Sequence, residues 1–588
     1  MEKCSPAPCL SGQSRLTYPW IPALHGALSL AVIILVATLA PESARAQVSS
    51  AGPLVPAKFV DVTPGSGVHF LGKASHTTRK YLIETMGSGV ALFDFDNDGR
   101  LDIFFANGAP LADPTAVGTI PKKDGQAYWN RLYHQKKDGT FEDVTEKAGL
   151  QGTNYDMGVA VGDYDNDGFD DLYVTGYGGN HLYHNNGNGT FTDVTKESGT
   201  GGSGWSTSAA WVDLDNDGLL DLVVLRYLKW DFDEIWCGEH RPNYRAYCHP
   251  DSFSAISPLV YHNDGNGHFT EVSAKLGLNR PGKGLGIALA DFDRDGRIDL
   301  AVANDSMVEY LYHQKPDGTF EEEGLMSQMA VDGDGRTFAG MGVDFQDYDN
   351  DGFPDLAITD LANQKYALYR NNGDGSFEYS SYTSGVAGIT MLHSGWGMKF
   401  LDYDNDGAKD LIIAQGHDID NIQLTTPQLR YKEPLLLLRN AGHGKFVDVS
   451  AESGDVFKQA WVGRGLAAGD LNNDGLEDFV VTTNDGPAYI IRNETPTANH
   501  WLTLELTGHK SNRDGIGALI KLTTSKGPQW WTVSTAGSYL SSSDKRAHFG
   551  LGADNVAKSI EITWPSGIHQ ELYNVRADQI LHIDEPAK

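Results

Sequence analysis

The 588 residues exceed one ordinary domain, and 40% apolar content is enough for a sizeable core. With 67 glycines, 25 tyrosines, 23 phenylalanines and 12 tryptophans, the composition points to a turn-rich, all-β chain. A formal charge of −32 excludes the basic face that nucleic-acid binding requires and opposes docking on anionic lipid.

Lys3 and Arg15 precede an uncharged apolar run over 27–40, and Ala44-Arg45-Ala46 comes after it. This is the pattern of an export signal over 1–46, cut before Gln47. The run is short for a membrane span, the alternative being an uncleaved anchor. No later segment approaches a span, so the expected destination is the periplasm, the cell surface or the medium. Export would remove Cys4 and Cys9 and leave Cys237 and Cys248, an even pair in an oxidising compartment and hence an expected disulfide. A metal site with His240 and His249 is the rival, but its spacing fits no zinc pattern.

One nine-residue element, D-x-[DN]-x-D-G-x-x-D, recurs seven times at intervals of 50 to 78 residues. Its acidic positions are Asp94, Asp96, Asp98, Asp102; Asp163, Asp165, Asp167, Asp171; Asp213, Asp215, Asp217, Asp221; and Asp291, Asp293, Asp295, Asp299. They continue with Asp347, Asp349, Asp351, Asp355; Asp402, Asp404, Asp406, Asp410; and Asp470, Asn472, Asp474, Asp478, where Asn472 is the one exception. Oxygens at positions 1, 3, 5 and 9 around a glycine-permitted reversal suit Ca²⁺, so up to seven calcium ions are expected. No Cys or His stands inside the loops to draw softer metals. The flanks read as short strands, not the helices of an EF-hand. Asp-Gly turns without an ion are the plainer alternative.

A hairpin comes after six of the seven loops: 132–145, 182–195, 260–273, 311–323, 368–381 and 437–450, with Asn/Asp-Gly centres. Four begin with Tyr-His, at Tyr133, Tyr183, Tyr261 and Tyr312, whose histidines read as structural. The seventh unit stops at 489–493, while Phe59-Val-Asp-Val-Thr63 stands alone before the first loop. Pairing the two closes a ring, so residues 58–495 are expected to form a seven-bladed β-propeller of four-stranded blades. From 499 to 585 the loops stop. Short strands at 501–508, 518–524, 530–536, 559–564 and 580–584 suggest a separate β-sandwich or barrel, with Trp530 and Trp531 read as core packing and a binding platform as the alternative.

The loops and F-x-D-V hairpins resemble the FG-GAP/VCBS repeats of integrin α-subunit propellers. The segments Ser511–Ala518, His548–Gly552 and Trp564–Gly567 are similar to the ASPIC/UnbV domain. Together they resemble the cartilage acidic protein family, including its bacterial members. The resemblance implies a calcium-binding extracellular propeller and no settled activity.

Calcium turns would line one face; the opposite face would carry long insertions at about 106–130, 225–259 and 414–435. Inter-blade segments there hold Trp205, Arg336, His393, Trp396, Trp461 and Arg464, of which Trp205, Arg336, Trp461 and Arg464 are the expected anchors for a protein or glycan partner. Binding or adhesion is the leading function. An enzyme with a pocket at the channel mouth and a scaffold for other exported proteins are the alternatives. No catalytic residue is assigned: G-x-S-x-G, H-E-x-x-H and C-x-x-C are absent, and Ser542-Ser-Asp-Lys545 fits S-x-x-K only by its letters.

Overall fold

The computed structural model describes residues 55–587. The expected export signal lies outside the described residues. Within them are seven antiparallel blade sheets, six of four strands and one, the fourth, with Phe338–Ala339 added to its four, and the helices are short pieces of three to five residues. The first blade is Val90–Phe93, Asp102–Phe105, Arg131–Gln135 and Phe141–Asp143; five more repeat the same order. In the last blade, Gly463–Gly469, Asp478–Thr483 and Tyr489–Asn493 are completed by Phe59–Asp61, with Phe59 opposite Asn493 and Asp61 opposite Ile491. The innermost strands neighbour one another in chain order, and the seventh lies against the first.

That ring can be tight because each innermost strand carries a small residue five positions before its loop: Gly89, Gly158, Ser208, Gly286, Gly342, Gly397 and Gly465. A Cβ at Gly158 or Gly397 would stand 2.6 Å from a backbone atom of the next blade, Thr207 O or Leu466 N. Ser208 uses the space instead, and its hydroxyl donates to the Leu285 carbonyl at 2.5 Å. Away from the axis, apolar faces of adjacent blades bury one another, as where Leu222, Val224 and Tyr261 meet Ala160, Tyr173 and Leu182.

The C-terminal segment is a sandwich of two sheets. One runs Pro528–Thr532, Leu519–Thr523, Val556–Thr563, His569–Arg576; the other runs Ala547–Gly552, His500–Thr507, Gln579–Asp584, its last pair parallel. Leu502, Leu504, Ile520, Trp531, Phe549, Ile560 and Trp564 fill the space between them. Trp531 is thus a core residue, as expected. Ala547–Gly552 and His569–Arg576 are strands that the sequence pattern did not reveal, and the strand expected over 530–536 ends at Thr532.

Beyond Thr532 the chain leaves the sheet and becomes a plug. Residues 534–545 enter the propeller channel from the loop side and bond to the innermost strand of every blade. Ser542 exchanges backbone bonds with Val90 and Leu92, Leu540 accepts the Val159 amide, and Gly537 donates to Ile287. Ser538 pairs with Val343 and its hydroxyl accepts the Met398 amide (3.1 Å) and donates to Leu466 (2.8 Å); the Leu540 amide donates to Ser208 Oγ (3.0 Å). The plug is an irregular strand that pairs with backbone groups lining the channel. Tyr539 and Leu540, both fully buried, form its tip and meet Met86, Tyr155, Trp205, Leu285, Met341 and Trp396.

At the opposite end the three insertions touch across the axis. Asn421 donates to the carbonyls of Asn243 and Arg245 (3.0 Å each), Asp231 accepts the Gly118 amide (2.9 Å), and Lys80 pairs with Asp420 and Arg79 with Glu234. The Cys237–Cys248 disulfide is formed and closes the hairpin of Cys237–Gly238 with Arg245–Ala246. Among the described residues, the plug fills the channel from the loop side and the bridged insertions lie across its other end.

Candidate metal centres and binding face

All seven loops share one scaffold of backbone bonds. In the first, Asp94 accepts the amides of Asp98 (3.0 Å) and Gly99 (2.6 Å), and Asp98 accepts that of Arg100 (3.1 Å). Asp102, at position nine, accepts the Phe95 amide with one oxygen and the Gln135 amide with the other (3.2 and 2.7 Å). The bond from the end of the third strand to the ninth-position carboxylate recurs in every blade. The ninth carboxylate therefore clasps the turn to its own sheet. The sixth-position glycines have φ of +83° to +102°, and the fourth-position residues +55° to +64°. Asn fills that fourth position in six loops, being the side chain that best tolerates the left-handed region after Gly.

This fourth residue also links the loops. Asn97 donates to the carbonyl of Gly168 in the next loop, Asn166 to Gly218, Asn350 to Gly407, Asn405 to Gly475 and Asn473 back to Gly99, at 2.8 to 3.0 Å; Arg294 does the same to Gly352. A second set is complete. Gln135, Asn185, Asn263, Gln314, Asn371, Asn440 and Asn493 each donate a side-chain amide to the second-position carbonyl of the preceding loop, at 2.5 to 2.9 Å. Sequence reasoning missed both sets, although Asn-Asp-Gly stood in six of the seven loops and an Asn or Gln closed the third strand of every blade.

The side-chain oxygens of the loops also converge. One oxygen from each of Asp94, Asp96 and Asp102 lies within 4.8 Å of the others, the spacing that oxygens 2.3–2.6 Å from one Ca²⁺ would have. The all-oxygen acidic set therefore fits that ion. In the first four blades the repeat histidines stand against these carboxylates. His134 is 3.1 Å from Asp102, His184 is 3.2 Å from Asp171 and 3.4 Å from Asp165, His262 is 3.0 Å from Asp221, and His313 is 3.2 Å from Asp293. Expected to be structural only, they are members of the acidic clusters. In the fifth and sixth blades an arginine takes the place: Arg370 pairs with Asp349 (2.7 Å) and Asp351, and Arg439 lies 3.4 Å from Asp406.

Burial without a cation pushes the loop carboxylates up: Asp102 to about 6, Asp213 to about 7 and Asp299 to about 8. Asp163 also reaches about 8, from burial and then the Asp514 carboxylate beside it. His184 is raised to about 9, chiefly by its bond to Asp171.

The FG-GAP-like repeat model matches residues 94–174, 163–224, 249–302, 291–358 and 347–413, half of the chain. The chain belongs to the FG-GAP-like repeat family. The ASPIC and UnbV model matches residues 508–588. Cartilage acidic protein 1 of Xenopus tropicalis is 26% identical over 305 residues, 51% of this chain and 44% of that protein. The Mus musculus protein of that name is 24% identical over 335 residues, 56% of this chain and 41% of the relative. The matches thus span less than half the length of these relatives. Among solved structures, YCF48 bound to D1 peptide aligns at a TM-score of 0.40 and 8% identity, over 76% of this chain and 99% of that one.

The FG-GAP ring does not present the four expected partner anchors together. Trp205 and Arg464 are fully buried. Trp205 packs edge-on against Tyr177 and Tyr227; Arg464 lies 3.8 Å over Trp396 and donates to the carbonyls of Thr85, Gly416, Gly463 and His417. Trp461 is buried and stacks on Tyr489 at 3.8 Å. Glycine-rich innermost strands leave volume near the axis, which Trp205 and Arg464 fill, while Trp461 packs between the last two blades. Of the four, only Arg336 is exposed, its side chain 74% open. On the insertions, Val117, Ile120, Ile235 and Trp236 are exposed instead. Trp236 stacks on His240 at 5.0 Å, and Arg245 lies 4.9 Å from its ring.

The S-x-x-K letters carry no nucleophile. The Ser542 hydroxyl donates to the Thr535 carbonyl, and Lys545 is held between Asp170 (2.6 Å) and Asp514 (2.5 Å). Those two carboxylates help line a cavity of about 380 Å³ between the first two loops and the C-terminal sandwich, together with Asp94, Arg513, Asp544 and Arg546. Among the described residues no helix is long and apolar enough to cross a membrane.

Proposed function

We propose that the chain is an exported, calcium-stabilised binding module. Residues 58–495 form the ring, 499–585 form its cap, and the insertion face takes a protein or glycan partner. One observation carries the choice of face: the C-terminal sandwich lies on the loop side and fills the channel. A partner then has the insertions, where an exposed Trp on a disulfide-closed hairpin offers a rigid apolar anchor. Calcium in the loops supports the reading through the convergent carboxylates, and export through the disulfide.

A photo-crosslinker at position 236 tests the face. In the exported fraction it should give a discrete adduct that disappears when the disulfide is reduced. The same group at Tyr573, exposed on the C-terminal sandwich, should give none. Adducts at 573 and not at 236 would move the binding surface to the cap.

A further inference from the structure

The C-terminal sandwich covers the seven loops unequally. In the first three, the carboxylates at positions three and five are exposed, and in the fourth Asp293 is half-buried and Asp295 exposed. In the sixth, Asp402, Asp404, Asp406 and Asp410 are all buried, and among the described residues it is the one loop of which this is true.

Besides its bonds to the neighbouring blades, five groups from beyond residue 495 close over it. Thr497 Oγ1 and Asn499 Nδ2 both donate to the Asp404 carbonyl at 2.9 Å. The Gly552 amide donates to the Asn405 carbonyl (2.8 Å), and Lys526 Nζ to that of Asp406 (2.9 Å). His548 Nε2 bonds to Asn405 Oδ1 at 2.8 Å.

Inside the seal, charge does not balance. The four carboxylates and Glu477, which accepts the Asp402 amide, carry five negative charges against three positive ones, the buried Arg439 and Lys409 and, at the rim, Lys526. The shortfall is that of one divalent ion. Independently, Asp404 Oδ2 is fully buried with no hydrogen-bond partner, a costly state unless a cation meets it.

We infer that the sixth loop is a sealed cation site, shut by the C-terminal sandwich, whose Ca²⁺ leaves only when that sandwich lifts. The first, third and fourth loops exchange freely with solvent. The inference rests on the calcium reading proposed above.

The test is calcium counting on the full chain. Protein loaded with Ca²⁺ is held in excess EDTA under native conditions, desalted and assayed for metal, then assayed again after EDTA in denaturant. About one ion per chain should survive native chelation and leave on unfolding. Asp404→Asn should abolish that residual ion, Lys526→Ala should hasten its loss, and Asp96→Asn should lower only the exchangeable count. Loss of all calcium in one fast phase, or a residual ion that persists in Asp404→Asn, overturns the sealed site and leaves the calcium reading standing. No calcium before chelation overturns both.

Discussion

Asn473 of the seventh loop donates its side-chain amide to the carbonyl of Gly99 in the first, at 2.8 Å. Gln135 of the first blade returns the link by donating to Leu471 of the seventh, also at 2.8 Å. The ring is thus held at its seam by the same two kinds of side-chain bond that recur between most of its other blades. Gln135 is buried and Asn473 is not, so the two should respond differently to truncation. Gln135→Ala strands a buried carbonyl and should cost about 1–3 kcal/mol, whereas water can replace the donor lost in Asn473→Ala. Denaturant melts of the two variants should rank in that order, and equal losses would contradict it.

The plug makes the C-terminal sandwich part of the ring's core. Leu540 is fully buried among residues from several blades. Leu540→Ala should cost about 2–5 kcal/mol and lower a single shared transition. If the ring kept its melting temperature while the sandwich melted earlier, the plug would be a passive tail.

The repeat, the blade order, the displaced Phe59 strand and the disulfide were legible because each is local pattern or chain arithmetic. The plug was not. Residues 534–545, STAGSYLSSSDK, are small and polar and read as loop or strand end. Their backbone partners lie up to hundreds of residues away, so no periodicity reveals them. The buried Trp205 and Arg464 were misread for a related reason: Trp and Arg are frequent at interfaces, but near a propeller axis they are volume that glycines leave to be filled.

Calcium removal should destabilise the ring. The loop carboxylates repel one another when no cation is present, and a ligand bound only to the native state raises its stability by mass action. The melting temperature should fall in EDTA. Asp213→Ala, which removes a first-position carboxylate, should reduce bound calcium by one site and shift the melt less than EDTA does. An EDTA-insensitive melt would count against calcium as a structural ion.

His548 gives a pH signature. Its Nε2 faces Asn405 Oδ1 and its Nδ1 lies 2.9 Å from Thr503 Oγ1, while Asn405 Nδ2 donates to Gly475. The ring is therefore neutral with the proton on Nε2 and accepts the Thr503 hydroxyl at Nδ1. Burial, and then Lys409 and Arg546, push its pKa down from 6.5 to about 3. A depressed folded-state value means the contribution is full above pH 6.5 and lost as pH falls toward 3, by up to about 1.4 kcal/mol per unit. Carboxylates with raised values act in the opposite sense over part of this range, so the measurement is the difference from His548→Gln, which cannot titrate. The wild type should lose stability relative to that variant on acidification, and parallel pH curves would show that His548 takes its proton in the folded state.

Phe59 is the residue on which the N-terminal strand depends. It is buried and packs on Tyr403, Phe457 and Phe479 with ring centroids 5.3 to 6.4 Å apart, while its amide donates to the Ser453 carbonyl at 2.8 Å. Deleting residues 55–63 would remove this anchor and bare the edge of Tyr489–Asn493, whose strand then offers unpaired backbone groups to another chain. The shortened protein should aggregate. Phe59→Ala separates the two effects, because it keeps the strand's backbone bonds and loses about 3–5 kcal/mol of packing. It should therefore remain soluble with a lowered melting temperature. If the deletion proved as soluble and as stable as the intact chain, the seam would be held by the Asn473 and Gln135 links without the strand.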